Sequence, residues 1–323
     1  MNILITGVAG FIGSWTAREL LEQGHNIIGI DNFNEYYNPK FKESNVKYLK
    51  IKLHRNDIKD YDRLKKVFQE DKIDKIIHFA AMVGVRPSIV NPAVYEEVNI
   101  RGTLNLLELA KQNSIKKFVF ASSSSVYGNR DKVPFSEQDA ANSQISPYAV
   151  TKKAGELLCQ TYSSLYGLPI VCLRFFTVYG PCGRPDMAPY KFVDKISHNK
   201  EIEMYGDGST RRDYTHIADA VSGILKSIEL DADYEIINLG CGAPVKLKDF
   251  ISAIEKNLGK KASIVQKEIQ PGDVKQTYAD ISKAKKLLGY EPKIKLEEGM
   301  KIFCEWFLKN RFISHHPYID AAS

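Results

Sequence analysis

Short runs that are almost wholly apolar or β-branched alternate, in the first half of the chain, with stretches of helical periodicity. Residues 2–6 (NILIT), 26–30 (NIIGI), 75–80 (KIIHFA) and 118–123 (FVFASS) make up the first set, with a further apolar run at 46–53. They lack the strict alternation of a strand with one wet face, so they predict strands of a parallel sheet buried on both faces. Between them, residues 12–23, 61–70 and 93–111 carry apolar positions at helical spacing. This β-α-β-α succession predicts an α/β fold, a Rossmann-type doubly wound parallel sheet with helices on both faces. A helix over 148–166 and a strand over 169–176 continue it.

Beyond residue 176 the regularity falls. Residues 180–190 (GPCGRPDMAPY) and 205–214 (YGDGSTRRDY) are turn-rich and charged, and helical patterns resume at 217–228, 246–258, 281–288 and 296–308. The tail after Arg311 has no clear pattern. The expected organisation is a dinucleotide-binding domain over 1–175, with 216–240 returning to it. A smaller, interleaved substrate lobe over 176–215 and 241–323 would cover the carboxyl ends of the sheet, where open α/β sheets bind ligands.

Composition narrows the function classes. The 323 residues are 44% hydrophobic and 26% charged, and a net charge of +6 is spread over 45 basic and 39 acidic residues. No basic block concentrates it, which argues against nucleic acid as a partner. Five scattered cysteines without CxxC spacing argue against a disulfide framework or a metal site and suit a reducing compartment. No stretch approaches the roughly 20 apolar residues of a membrane span. Met1 runs straight into NILITG, without the features of a secretory leader, so a cytoplasmic location is expected.

The first run leads directly into Gly7-Val8-Ala9-Gly10-Phe11-Ile12-Gly13, which opens a helix. Gly7 suits the tight turn, Gly10 lets the backbone approach a pyrophosphate, and Gly13 lets helix and strand pack closely. The free N–H groups and dipole of the helix N-terminus favour phosphate. Asp31 ends the second run, 18 residues past Gly13, where a carboxylate accepts hydrogen bonds from ribose hydroxyls and repels a 2′-phosphate. The expected cofactor is therefore NAD. Phe11, Ile12, Asn32, Ala80 and the Asp57-Ile58 pair, the last placed for the adenine edge, complete the expected cofactor set.

A second constellation begins at Ser146-Pro147, a helix-start pattern, followed by Tyr148 and Lys152 at i and i+4 on one helical face. An isolated phenol, with pKa near ~10, is a poor base at neutral pH. A neighbouring ammonium favours the phenolate, so the pair is suited to general base and then general acid work. The four serines of ASSSSVYG, residues 121–128, end a buried run and would face the ligand crevice.

Together GVAGFIG, Asp31, the serine run and Tyr148-xxx-Lys152 resemble the extended short-chain dehydrogenase/reductase family, in its nucleotide-sugar branch. RFFTVYGPCGRPDMA (174–188), RRDYTHIAD (211–219) and QPGDVKQTYAD (270–280) extend the resemblance over nearly the whole chain. It implies that Ser123 is the hydroxyl that bonds the sugar 4-oxygen, that Lys152 also meets the cofactor ribose, and that Asn99 contacts substrate. It further implies that Arg212 and Asp273 hold the nucleotide, and that the protein is a homodimer built from the helices at 93–111 and 148–166.

In this family Tyr148 would remove the 4-hydroxyl proton while hydride leaves carbon 4. Dehydratases then use an Asp-Glu pair just after the catalytic hydroxyl, and UDP-glucuronate decarboxylases a Glu two positions on. Here those positions are Ser124 and Ser125, which are not acids or bases near neutral pH. What is left is rotation of the keto sugar and hydride return, a 4-epimerisation. The motifs look most like UDP-glucuronate 4-epimerases. Ser124, Ser125 and Thr177 would then bond the sugar carboxylate, with Arg86 and Arg184 supplying positive charge. A UDP-glucose/UDP-N-acetylglucosamine 4-epimerase is the nearest alternative. A 4,6-dehydratase, a decarboxylase and a non-catalytic NAD-binding regulator stand further off.

Overall fold

The computed structural model describes residues 1–269 and 274–310. Strand β1 (Asn2–Thr6) leads into helix α1 (Phe11–Glu22), then β2 (Asn26–Ile30), α2 (Pro39–Val46) and β3 (Lys52–His54). There follow α3 (Tyr61–Glu70), β4 (Lys75–His78), α4 (Val85–Val90), α5 (Pro92–Tyr95), a π-helical turn (Glu96–Arg101) and α6 (Gly102–Gln112). Strand β5 (Lys117–Ser123) runs into a 3-10 turn (Ser124–Tyr127). Next come α7 (Pro147–Tyr166), β6 (Ile170–Phe175), β7 (Thr177–Tyr179), α8 (Ala188–Ser197), β8 (Ile202–Tyr205) and β9 (Arg211–His216). The remaining elements are α9 (Ile217–Glu229), β10 (Tyr234–Leu239), β11 (Pro244–Lys246), α10 (Leu247–Leu258), β12 (Ile264–Lys267), α11 (Ser282–Leu288) and α12 (Leu296–Lys309).

The large sheet has seven strands in the order β10-β6-β5-β4-β1-β2-β3, all paired in parallel. Every position of β4, β5 and β6 is buried, as expected of strands covered on both faces. Alternate side chains feed the packing on the two faces of the sheet. Ile3 and Ile5 pack with α1 and α9 on one side, while Leu4 joins Ile76, Leu106, Phe118 and Phe120 on the other. Strand order reverses between β1 and β4, which opens a crevice at the strands' carboxyl ends.

Helix α9 packs against α1, and β10 pairs with β6, so the chain re-enters the large sheet after β9. A second core gathers Tyr190, Phe250, Phe303 and Phe307 from α8, α10 and α12 beside two small sheets, β11-β9-β7 and β12-β8. Tyr214 stacks on Phe250 there with ring centroids 4.1 Å apart.

Three sequence expectations change. The stretch 93–111 is not one α-helix: it starts at Pro92 and inserts the π turn before α6. The apolar run at 46–53 divides between the end of α2 and a strand that begins only at Lys52. The turn-rich stretch at 180–190 already contains the start of α8, with Tyr190 buried in the second core and Lys191 exposed. Periodicity misses these because each element is short. No helix among the described residues is long and apolar enough to cross a membrane.

Candidate active site

At the reversal of strand order, Gly7 turns the chain with φ +70°, and a Cβ there would stand 2.7 Å from the Ala80 nitrogen. Only glycine lets the loop after β1 lie so close to the end of β4. A Cβ at Gly13 would run into the carbonyl of Gly7, so the third glycine sets the seating of α1 on the loop. Gly10 caps α1 without a side-chain hydrogen bond, leaving the first-turn N–H groups for a ligand. Phe11 is buried at the start of that helix and Ile12 half-buried.

Asp31 is buried, with Oδ2 accepting from the Ala9 N–H at 3.1 Å and Oδ1 from the Phe33 N–H at 2.8 Å. Burial raises its pKa, and the two backbone donors oppose that rise. Asn32 Nδ2 donates to Asp57 Oδ2 at 3.1 Å, and Ile58 is buried beneath α6 against Gly102. The shallow glycine cradle, the helix end without a side-chain cap and the carboxylate at the tip of β2 fit a dinucleotide.

Across the crevice, Ser146 caps α7 by accepting from the Ala149 N–H at 3.2 Å, with Pro147 in the first turn. This cap starts the helix immediately before Tyr148. Burial raises the Tyr148 pKa, while a hydrogen bond from Ser123 and the nearby Arg184 guanidinium pull it down. Tyr95 packs edge-on against Tyr148 with centroids 6.3 Å apart. Lys152 is buried one turn further on, and its Nζ donates to the Ala121 carbonyl at 2.7 Å, over the Phe120 ring. Burial lowers its pKa to about 8. Arg184, in the loop after β7, adds a positive charge that favours the phenolate and that sequence spacing does not reveal.

The helix is fixed from behind. A Cβ on Gly155 would overlap the Phe120 ring, so glycine there lets α7 approach β5 closely. Glu156 accepts from Arg174 Nε at 2.7 Å and Nη2 at 2.8 Å, and from Ser122 Oγ at 2.6 Å. Burial alone would raise the Glu156 pKa, but the guanidinium keeps it below the usual carboxylate value.

A polar chain ties this helix to the glycine loop. Ala80 N–H donates to Thr6 Oγ1 at 3.3 Å, and Thr6 Oγ1 lies 2.7 Å from His78 Nδ1. His78 Nε2 lies 3.0 Å from Thr103 Oγ1, which donates to the Asn99 carbonyl at 2.6 Å. Thr103 therefore accepts from a neutral His78 protonated on Nε2, and Thr6 donates to Nδ1. Burial pushes the His78 pKa down to about 3. The Asn99 side chain donates to the Met82 carbonyl at 2.9 Å and to Thr151 Oγ1 at 2.9 Å, and accepts from the Met82 N–H at 2.8 Å. Both of its amide protons are engaged, so Asn99 serves as a tether between the loop after β4 and α7. His78, Thr103 and Thr151 carry no motif that would single them out in the sequence.

The other expected substrate residues divide. Ser124 and Ser125 are half-buried in the 3-10 turn, with the Ser125 N–H donating to Ser123 Oγ at 3.1 Å. Thr177 opens β7 in register with Tyr214. Arg184 pairs with both carboxylate oxygens of Asp186 and lies 5.7 Å from the Tyr36 ring centroid. Arg86, on α4, instead lies over the Tyr205 ring at 4.4 Å. Arg212, on β9, donates from Nη1 to the Arg211 carbonyl at 2.9 Å. Asp273 lies outside the described residues.

A family model described as GDP-mannose 4,6 dehydratase matches residues 4–303. The chain belongs to this family. It is similar to a UDP-glucuronate 4-epimerase of Thermodesulfobacterium geofontis, 46% identical over 312 residues, covering 95% of this chain and 96% of that protein. It is also similar to the crystal structure of UDP-glucuronic acid 4-epimerase from Bacillus cereus in complex with UDP-glucuronic acid and NAD. That likeness has a TM-score of 0.91 at 38% identity, over 96% of this chain and 99% of that one. UDP-glucose 4-epimerase from Thermotoga maritima, solved with UDP-glucose, reaches the same TM-score of 0.91 at 32% identity, over 96% of this chain and 100% of that one.

Proposed function

We propose that this chain is an NAD-dependent UDP-sugar 4-epimerase that interconverts UDP-glucuronate and UDP-galacturonate. The observation that carries the reading is the surroundings of Tyr148. Ser123 and Tyr95 meet the phenol and the charge of Arg184 favours its phenolate, and Ser124 and Ser125 stand where a dehydratase or decarboxylase has its acids. A site with one proton carrier is suited to oxidation and its reversal, and lacks the second group that elimination needs. The glucuronate 4-epimerases among its relatives support the choice of substrate.

In this reading Tyr148 takes the proton of the 4-hydroxyl and later returns it, and Ser123 holds the 4-oxygen and favours the phenolate. Bound on the glycine loop and Asp31, NAD supplies a hydride acceptor that gives the hydride back, so the cycle has no net redox change. Phe11, Ile12, Asn32, Asp57, Ile58 and Ala80 would line the cofactor side, where Lys152 would meet the ribose. Between the two hydride transfers the keto sugar turns over, and the chain must hold its nucleotide end while freeing its ring. Arg212 and Asp273 are assigned to the nucleotide. Ser124, Ser125, Thr177, Arg86 and Arg184 are assigned to the sugar carboxylate, and Asn99 to positioning. Holding that carboxylate also protects the β-keto acid, because loss of carbon dioxide requires it to leave the carbonyl plane and shed its charge.

The large sheet with its returning strand is the NAD-binding unit in this proposal, and the second core supports the substrate lobe. A homodimer is part of it, supported by Val150 and Leu157, which are exposed on one face of α7 at a seven-residue spacing suited to helix packing. A cytoplasmic location is supported by five free cysteines.

The test is incubation of purified protein with UDP-glucuronate and NAD, with products resolved by chromatography. UDP-galacturonate is the expected product. UDP-galactose from UDP-glucose, with UDP-glucuronate unchanged, would replace the substrate assignment, and release of carbon dioxide with a UDP-pentose would overturn the reaction.

A further inference from the structure

The protein holds two arginine–carboxylate pairs of the same two-point geometry in very different settings. Arg174 and Glu156 are sealed, with side chains 2% and 1% exposed. Arg184 and Asp186 keep 18% and 24% of theirs open. The first pair locks α7 to the sheet and has no route to a ligand. The second lies on an Arg-Pro-Asp turn closed by a hydrogen bond from the Met187 N–H to the Arg184 carbonyl at 3.2 Å. Tyr36, Tyr37 and Lys42 feel both of its charges, and Tyr148 feels that of Arg184. Tyr36 also meets Tyr95, whose hydroxyl donates to the Val83 carbonyl at 2.7 Å. An open two-point pair is built of exchangeable parts, because a guanidinium takes any carboxylate in the same two-point geometry.

We propose that Asp186 is a specificity-determining residue that occupies Arg184 in the empty site and yields it to the carboxylate of a hexuronate substrate. The proposal rests on the UDP-glucuronate reading above. A neutral hydroxymethyl group cannot take Asp186's place, so UDP-glucose binds with the Arg184–Asp186 pair intact. A hexuronate must displace Asp186, which lowers the advantage its own charge would give. The exchange leaves Arg184 paired throughout, since it faces one carboxylate before binding and one after.

The experiment compares wild type with Asp186→Asn, which keeps the shape and removes the charge. With UDP-glucuronate, KM should fall about fivefold, the effect of removing one competing, partly exposed carboxylate. The affinity for UDP-glucose, read by isothermal titration, should stay unchanged. The pH profiles separate this from a structural role. Without Asp186 the free enzyme has an uncompensated Arg184, so the acidic limb of kcat/KM should move to lower pH. The limb of kcat, which reports the complex, should stay in place. Asp186→Ser serves if the Asn variant does not fold, and a wild-type crystal structure with UDP-glucuronate decides if neither does. In that complex Arg184 should hold the sugar carboxylate with Asp186 turned away. An unchanged or raised KM for UDP-glucuronate, or a complex in which both Asp186 oxygens still grip Arg184, overturns the proposal. If wild type does not epimerise UDP-glucuronate at all, the substrate reading fails and takes this inference with it, whereas active wild type with unaltered variants sinks this inference alone.

Discussion

Gly155 lies against the ring of Phe120 at a separation that leaves no room for a Cβ. This contact sets how closely α7 approaches β5, and with it the reach of Lys152 to the Ala121 carbonyl and of Tyr148 to Ser123. Gly155→Val should force the helix outward. We expect a loss of about 2–3 kcal/mol in unfolding free energy from overpacking, measured by urea denaturation. Turnover should fall at least tenfold in protein that remains folded, because misplacement of a catalytic group by about 1 Å is that costly.

Tyr148→Phe removes the proposed proton carrier and leaves the glycine cradle untouched. Turnover should drop by about a thousandfold or more, while NAD binding, followed by fluorescence quenching, stays near wild type. Ser123→Ala removes one hydrogen bond and not the proton carrier, so its deficit should be smaller, on the order of tenfold to a hundredfold. Equal deficits in the two variants would contradict the assigned roles.

Lys152 gives a pH signature. Its pKa in the folded protein is about 8, against 10.5 for the free side chain. The unfolded chain therefore binds the proton more tightly. The penalty for burying the charge is fully present below pH 8 and fades as pH rises toward 10.5. Lys152→Met, which fills the space without charge, should be inactive yet melt no lower than wild type at pH 7. The Tm gap between them should shift in favour of wild type as pH rises through that window. A variant that melts far below wild type at pH 7 would show that the ammonium stabilises the fold.

Gly13→Ala should leave the chain folded and weaken NAD binding at least tenfold, because its Cβ collides with the Gly7 carbonyl and displaces the phosphate loop. Isothermal titration with NAD measures it. Unchanged affinity would mean that the cofactor does not use this loop.

Asp213 is fully buried, and its carboxylate accepts from the N–H groups of Cys241 at 2.7 Å, Gly242 at 3.0 Å and Ala279 at 3.0 Å. Asp213→Asn replaces an acceptor oxygen with an NH2 group facing donors. Unfolding free energy should fall by about 2–4 kcal/mol, with the change read from the urea midpoint.

Some of this was legible in the sequence because the chemistry is local. The strand, the Gly7–Gly13 loop, helix α1 and Asp31 form one consecutive unit, and its fully apolar strand pattern is the direct trace of burial on both faces. Tyr148 and Lys152 are four residues apart, so helix geometry alone puts them on one face. Ser124 and Ser125 were readable for the same reason, as immediate neighbours of Ser123 on a strand end.

Only the tertiary structure decided which distant groups act on that pair. The charge of Arg184 acts on Tyr148 from the loop after β7, Arg174 locks Glu156 from β6, and Asn99 is turned onto Met82 and Thr151 in a π turn that periodicity reads as plain α-helix. The physical reason is the same in each case. Spacing along a chain fixes side-chain direction only within one element, whereas these partners are joined by strand order and by how closely helices pack on the sheet. The sequence by itself determined most element types and the placing of Tyr148 and Lys152 on one helical face. The packing of α7 on β5, through Gly155 and Phe120, decided where that pair stands and which charges surround it.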